Sequence, residues 1–531
     1  MAAVTGAACG LAVAAFERLA SAGVDAVFRL PLAAQAVAPG LGVLLAVAIR
    51  QAGGRAGAET TDAYIHAFHD PRPRPDLGEV PVRLLASLAT LGAGGPMGFE
   101  GPSAYMGAGI GAAVQRRLSR FFAPDESKLL LVAGAAAGVA AIFKAPVTGL
   151  VFALEVPFQE DVARSMLLPS AISAAASYVA FAAAAGTDPI LPVAGRAPFN
   201  LVDLGGAAVV GLLAGVLARV FIAVVRRAKD MSGGRRPYLR AAAAGAVLAA
   251  TVLAAHALSH EPLALGPGYH ALRWALSPER SVPAVLALWV IRMVGTGATV
   301  GGGGVGGLFI PLVIQGALVG RAVGGVFDPA NATLFPVVGM AAFLGAGYRV
   351  PLAAVVFVAE FTGRPGFVVP GLVAAVVAQL VMGRASISPY QVARRAGHLE
   401  RRLALPLGAV VDAEARTVPP DATVEELFWQ HLVANRSRAV AVVDGAAYLG
   451  MAGADDVAGV ERAAWSTTAV AEIMRTDLPV AAPAWSVADA VAAMDEGGTD
   501  VLPVCDEAGF VGVVTAEGVV RLDDILRRAT G

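Results

Sequence analysis

Residues 94–111 read GGPMGFEGPSAYMGAGIG, with seven glycines and two prolines around a single charged side chain, Glu100. Glycine and proline interrupt helices, and a carboxylate in an apolar setting is costly unless something compensates for it. The setting here is apolar. Of 531 residues 56% are hydrophobic and 15% charged, against about 25% charged in soluble domains, and the mean hydropathy is +0.66. Charge-free runs at Ser165–Thr187, Met293–Gly320, Pro329–Tyr348 and Pro365–Gly383 approach the ~20 residues that cross hydrocarbon as a helix. An acid inside a helix break of such a chain is a functional candidate by default. Cys9 and Cys505 stand too far apart in sequence and character to suggest a disulfide or a metal site. The first apolar stretch lacks a basic leader, so it is read as part of the mature protein.

Charge divides the chain. From Leu405 onward there are 20 Asp+Glu against 8 Lys+Arg, leaving 21 acids and 32 bases before it. Long apolar runs stop near Gly383, and the basic connector YQVARRAGHLERR (390–402) leads into an acidic, soluble texture. The expected organisation is a membrane domain over 1–395, a linker over 396–404 and a cytoplasmic module beyond. Arginine clusters at 116–117, 226–227, 235–236 and 394–402 mark cytoplasmic ends by the positive-inside tendency.

The membrane domain also repeats itself. AAIFKAPVTGLVFALE (140–155) aligns with GAGYRVPLAAVVFVAE (345–360), pairing Pro146 with Pro351 and Glu155 with Glu360 at an offset of 205. EGPSAYMGAGIGAAV (100–114) aligns with FIPLVIQGALVGRAV (309–323), pairing Pro102 with Pro311 at an offset of 209. Two copies of a Gly/Pro break followed by short apolar segments match the pattern of repeat-built transporters with a midplane site. Helix N-termini carry positive partial charge and free N–H groups. GFEGP (98–102) and GGLFIP (306–311) each put glycines before a helix start, with proline early in the helix where its missing N–H costs nothing. Each is a candidate anion-binding N-terminus, one per repeat. Amides hold an anion weakly enough to release it.

These residues resemble the CLC family of chloride channels and anion/proton exchangers. GFEGP is similar to the family's G(R/K)EGP motif and GGLFIP to its GxFxP motif. AAAGVAAIFKAPVTGLVFALE (135–155) looks like the segment after the first motif, and SISPYQ (386–391) like the one carrying a pore tyrosine. The resemblance covers roughly residues 40–395. It implies an all-α polytopic domain of broken, tilted helices in an inverted repeat, and a homodimer with one anion pathway per subunit in the cell membrane. It further implies that Glu100 is the gating glutamate, its carboxylate standing in for chloride on the amides of Phe99, Glu100 and Gly101. The amides of Leu308, Phe309 and Ile310 and the Tyr390 hydroxyl carry over as ligands of the central anion. Glu155 and Glu360 read more readily as structural acids than as functional ones, and Lys144 and Arg349 as cavity-facing or cytoplasm-facing charges rather than ligands.

The pattern departs from the family at two places. The family's GSGIP motif corresponds to GGRAGAET (53–60), with Arg55 or Ala56 where its serine is expected and no proline. Chloride is therefore the default among chloride, nitrate and fluoride. In exchangers of the family a second glutamate, on the cytoplasmic side, follows the one closing the FALE-like segment. Here that position is Val156, and the next acids are Glu160 and Asp161. This favours a passive, gated anion channel; the alternative is a proton-coupled exchanger that manages without the inner acid.

The tail resembles a pair of CBS domains, an α/β fold, at 405–462 and 468–531. LGMAGADDV (449–457) keeps Asp456 of an adenosine motif but has Gly453 for its hydroxyl residue; VGVVTAEGV (511–519) keeps Thr515 but has Gly518 for its aspartate. No cofactor is required, and adenine nucleotide at Asp456 and Thr515 is expected to bind weakly or not at all. The expected partners are a small anion, the lipid bilayer and a second copy of the chain, with no nucleic acid. An intramembrane enzyme is disfavoured because the seven histidines form no HExxH and no GxSxG occurs. A cation-coupled transporter of organic solutes would carry more midplane polar residues than one Glu and one Tyr.

Overall fold

The computed structural model describes the chain except for residues 55–56, 71–76, 122–127, 188–189, 192–198, 235, 278, 328–332, 395–404, 436 and 520–531. Arg55, Ala56, the linker 396–404 and the end of the second tail repeat therefore lie outside the described residues. The chain separates into two compact units, Met1–Arg395 and Ala396–Gly531.

The first unit is helical, and its described residues form two sets of eight α-helices. The first set is α1 (Ala2–Phe28), α2 (Leu32–Ala52), α3 (Thr61–His69), α4 (Glu79–Gly92), α5 (Glu100–Arg117), α6 (Leu129–Phe143), α7 (Pro146–Glu155) and α8 (Leu167–Ala185). The second is α9 (Leu201–Ser232), α10 (Pro237–Ser259), α11 (Tyr269–Ala275), α12 (Val282–Gly302), α13 (Phe309–Phe327), α14 (Leu334–Tyr348), α15 (Pro351–Thr362) and α16 (Val368–Met382). Among the described residues eight helices, counting the short 3₁₀ turns that lead into two of them, are long and apolar enough to cross a membrane. Packing repeats with the sequence. α1 lies on α8 as α9 lies on α16, α2 on α4 as α10 on α12, α5 on α6 as α13 on α14, and α6 on α8 as α14 on α16.

Close crossings explain part of the glycine content. Gly107 of α5 meets Gly134 of α6 backbone to backbone, and Gly316 of α13 meets Gly339 of α14 in the same way. A Cβ at any of the four would overlap a carbonyl of the facing helix, so small residues let the helices touch where apolar lipid offers no hydrophobic drive to pair them.

The two repeats also share a corner. Lys144 and Arg349, the residues after α6 and α14, both adopt the left-handed conformation, with φ of 51° and 57°. The Lys144 ammonium donates to the carbonyl of Ala185 at the end of α8 (3.0 Å), and Arg349 donates to Gly383 at the end of α16. Each cation thus satisfies a free carbonyl at a helix C-terminus, where positive charge is favoured.

The second unit has a three-stranded sheet in the order β1 (Thr417–Val418), β2 (Ala439–Asp444) and β3 (Ala447–Gly453), plus a hairpin of β4 (Val501–Asp506) and β5 (Gly509–Thr515). β1 runs parallel to β2, and both hairpins are antiparallel with a register shift near the turn, at Val442/Val443 and at Val504/Cys505. In the second copy the strand corresponding to β1 shrinks to one parallel bridge, Ala481 to Val504. The copies have separate small cores, one around Val424, Leu427 and Val442 and the other around Val487, Leu502 and Val504.

Candidate anion site and gate

GFEGP and GGLFIP meet. Gly98 and Gly307 exchange backbone hydrogen bonds at 2.9 and 2.8 Å, so the N-termini of α5 and α13 are locked together at the breaks. Helices broken in this way leave N–H groups that only protein or enclosed water can satisfy. The Glu100 carboxylate meets that need: Oε1 accepts from the amides of Phe309 (2.7 Å) and Ile310 (3.4 Å), and the residue's own amide also faces it. A Cβ on Gly98 or Gly307 would collide with this carboxylate; glycine is needed at both positions for the acid to fit.

Glu100 is 2% exposed, and its Oε2 has no hydrogen-bond partner among the described residues. One oxygen is held by a helix terminus; the other is buried and unsatisfied, a costly state for a charged group. The acid therefore sits on α13 rather than on the amides of Phe99 and Gly101. Phe99 instead borders a cavity of about 420 Å³ shared with Lys144, Tyr269 and Arg273, and Gly101 packs on Thr60 and Gly307.

The amides of α13 are aimed by the side chain of Phe309. That ring is fully buried against Phe143 (4.6 Å), Phe357 (4.8 Å) and Phe152 (5.3 Å between centroids). Such packing fixes a helix start more firmly than a flexible loop would.

Tyr390 is not brought to Glu100. It is 40% exposed and lies edge-on to His66 (5.2 Å between centroids), in an open cavity with Glu59 and Asp62. SISPYQ is tied down by its neighbours: Gln391 donates to the carbonyls of Val156 (2.7 Å) and Tyr348 (2.7 Å), which leaves Tyr390 facing outward. The tyrosine at the inner side of the amide cluster is Tyr348. It is 2% exposed, and its hydroxyl lies beside the Leu308 amide and the Thr61 side chain. Of the amides expected to hold the anion, those of Phe309 and Ile310 meet Glu100, and that of Leu308 lies beside Tyr348.

A third N-terminus contributes, that of α3. It begins at Thr60–Thr61–Asp62, so the break seen in GGRAGAET ends later than Arg55 or Ala56. Thr60 Oγ1 donates to the Gly306 carbonyl (3.3 Å), and Asp62 forms a largely buried ion pair with Lys229 (2.5 Å), which also donates to Ile387 (3.2 Å). Sequence reasoning missed Tyr348, Thr60, Thr61 and the Asp62–Lys229 pair. One signal was available: Tyr348 places the last hydroxyl of a charge-free helix where the first repeat has Phe143.

Glu155 and Glu360 take up a different task. Glu155 accepts from the amides of Leu352 (3.2 Å) and Ala353 (2.8 Å) at the start of α15. Glu360 accepts from Val147 (3.0 Å) and Thr148 (2.7 Å) at the start of α7, and from the Thr148 hydroxyl (2.6 Å). The acid closing α7 caps α15, and the acid near the end of α15 caps α7. Val156 is wholly buried, and Glu160 is drawn into ion pairs with Arg394 (2.9 Å) and Arg349 (3.9 Å). In the second unit Asp456 Oδ2 accepts from the Gly453 amide (2.8 Å), and Thr515 Oγ1 from the Gly518 amide (2.9 Å).

Two interlocked eight-helix repeats with broken-helix N-termini gathered around an acid define a membrane protein of the anion-transporting class. Residues 41–383 match the family described as voltage gated chloride channel, and residues 470–530 match the CBS domain. The chain belongs to the voltage-gated chloride channel (CLC) family and carries a C-terminal CBS domain. It is 29% identical over 353 residues to the H(+)/Cl(-) exchange transporters ClcA of Salmonella arizonae and Salmonella typhi, covering 63% of this chain and 72% of theirs. Its fold is similar to that of a slow cyanobacterial Cl-/H+ antiporter, with a TM-score of 0.64 at 22% identity over 72% of this chain and 93% of that one. It is also similar to a CLC-type fluoride/proton antiporter, with a TM-score of 0.63 at 21% identity over 74% and 96%. A eukaryotic CLC transporter matches 97% of each chain, with a TM-score of 0.61 at 18% identity.

Proposed function

We propose that this chain exchanges a small anion, chloride by default, for protons across the membrane, with Glu100 as both gate and proton carrier. The observation that carries the reading is the Glu100 carboxylate on the Phe309 and Ile310 amides with its second oxygen unsatisfied. Ionised, it is an anion on an anion site. An incoming chloride competes for the same amides, and the displaced carboxylate is then free to take a proton. The valine at 156 favoured a passive channel; the relatives named for proton/chloride exchange support the alternative instead, and exchange is the reading adopted here. Thr61, Tyr348 and the Leu308 amide are the inner ligands of the transported ion, in place of Tyr390. The working unit is a homodimer, with the CBS region on the cytoplasmic side.

The test is flux in liposomes holding the purified protein. An outward chloride gradient should drive protons uphill. A current that reverses at the chloride Nernst potential, with no proton movement, returns the reading to a channel.

A further inference from the structure

If Glu100 carries protons, they need a way from the buried site to the solution on the far side of the Thr60–Tyr348 layer, and the chain has a valine where an inner acid was expected. Next to the Phe309 amide that holds Glu100 lies a cavity of about 40 Å³ bordered by Glu59, Thr61, Leu308 and Tyr348. At ~10–15 Å³ per water it holds a short water chain. Glu59 also lines a second, larger cavity with His66 and Tyr390. It is thus a carboxylic acid that borders both cavities. Its backbone is anchored, since Arg83 donates to the Glu59 carbonyl (2.5 Å), and the next residue, Thr60, packs on Gly101 beside Glu100. The Glu59 side chain itself is exposed.

The charged neighbours separate Glu59 from the other acids. Asp62 shares the same cavities but is committed to Lys229 at 2.5 Å, and Glu79 is committed to Arg83. Glu59 makes no ion pair within 4 Å among the described residues, while Arg50 on α2 lies near enough to act on its charge. Tyr390 feels both Glu59 and Asp62. Arg50 offsets the negative charge of the acid at this mouth.

We propose that Glu59 is the inner proton acceptor, taking protons from Glu100 through water in the small cavity and releasing them beside His66 and Tyr390. The step conserves atoms and charge. The O–H bond of the Glu100 acid breaks as one forms on water, a water O–H breaks as one forms on the Glu59 carboxylate, and Glu100 returns as an anion to the Phe309 and Ile310 amides. The proposal rests on the exchange reading, and its test separates the two.

The experiment measures proton and chloride flux together in liposomes for the full chain, Glu59→Gln, Glu59→Asp and Glu160→Gln. Glu59→Gln should lower the proton-to-chloride ratio by about tenfold or more, on the scale of a lost general acid–base group. Glu59→Asp should restore the ratio, and Glu160→Gln should leave it as it was. A ratio unchanged in Glu59→Gln, or lowered instead by Glu160→Gln, overturns Glu59 as acceptor while leaving exchange standing. Chloride flux without uphill protons in the unsubstituted chain overturns exchange and this proposal together. The ratio needs only surviving chloride flux, so partial loss of folded protein does not blur the reading.

Discussion

Three buried or half-buried glutamates of this protein rest on helix N-termini, and they differ in how many of their oxygens are used. Glu155 and Glu360 employ both, each oxygen meeting an amide of the other repeat's helix. Glu100 employs one and leaves the other buried and bare. The same motif, an acid on a broken-helix start, thus serves as a rivet in one place and, in the exchange proposed above, as a removable plug in another. What separates them is hydrogen-bond completeness. A fully satisfied carboxylate has nothing to gain by leaving, whereas a half-satisfied one sits in a site that a small anion fills equally well.

The comparison breaks most visibly at the rivets. Glu155→Ala removes a 5%-exposed acid and strands two amides, which should cost about 2–5 kcal/mol and appear as a large fall in thermal midpoint or loss of monodisperse protein. Glu360→Ala should cost less, because its site is less buried. A melting curve for Glu155→Ala that overlays the parent would show that reciprocal capping contributes nothing.

Glu100 should respond in the opposite sense. Glu100→Gln or Ala removes the half-satisfied group, so the fold should hold its stability within about 1 kcal/mol. Anion flux should persist or rise, while its pH dependence and any proton coupling disappear. A folded Glu100→Gln protein that passes no anion would show that the acid is a ligand of the pathway rather than its plug.

A smaller effect separates the two tyrosines. Tyr348→Phe deletes a buried hydroxyl that meets the Leu308 amide and Thr61. It should weaken anion binding by about 0.5–1.5 kcal/mol, the worth of one hydrogen bond. Tyr390→Phe, at an exposed ring, should change binding less than about twofold on the same scale. Calorimetric anion titration of both variants decides the assignment, and the reverse order would return the role to Tyr390.

Much of this was legible in the linear chain because the features repeat. The 205-residue offset tied Pro146 to Pro351 and Glu155 to Glu360 before any packing was known, and the helices and their crossings follow it. The Gly–Pro breaks located the α5 and α13 termini within a residue. What stayed hidden was pairing across repeats. Nothing in FALE or FVAE says that each acid reaches the other's proline, because that depends on how two halves dock. The match of GGRAGAET to the family's GSGIP motif left the start of α3 open, because the run offers several glycines as break points and only the contacts of Thr60 select its end. Tyr390 misled because a tyrosine after a serine-rich break fits a pore lining, while Gln391 beside it anchors the loop and leaves its ring facing outward.

The smallest expected effect lies in the second unit, where the two polar residues of the adenosine motifs are already in use. Asp456 and Thr515 each close the first turn of a local helix, on the amides of Gly453 and Gly518. In the first copy a hydroxyl residue in place of Gly453 would put its Cβ 2.9 Å from the Arg438 carbonyl, so backbone must move before the motif can be completed. The cleft between the copies is also the wrong charge for a phosphate chain. Asp412, Glu414, Asp500 and Glu517 face it against Arg416 and Arg438, and Arg438 is engaged with Asp500 at 2.8 Å. Adenine nucleotide at about 1 mM should therefore stabilise the full chain by no more than ~0.4 kcal/mol, the limit for a dissociation constant of about 1 mM or weaker. Thermal unfolding followed at the tryptophans of this unit, with ATP, ADP and AMP in turn, measures it. A shift of several degrees with any of them would mean that the cleft recognises the nucleotide through groups other than Asp456 and Thr515.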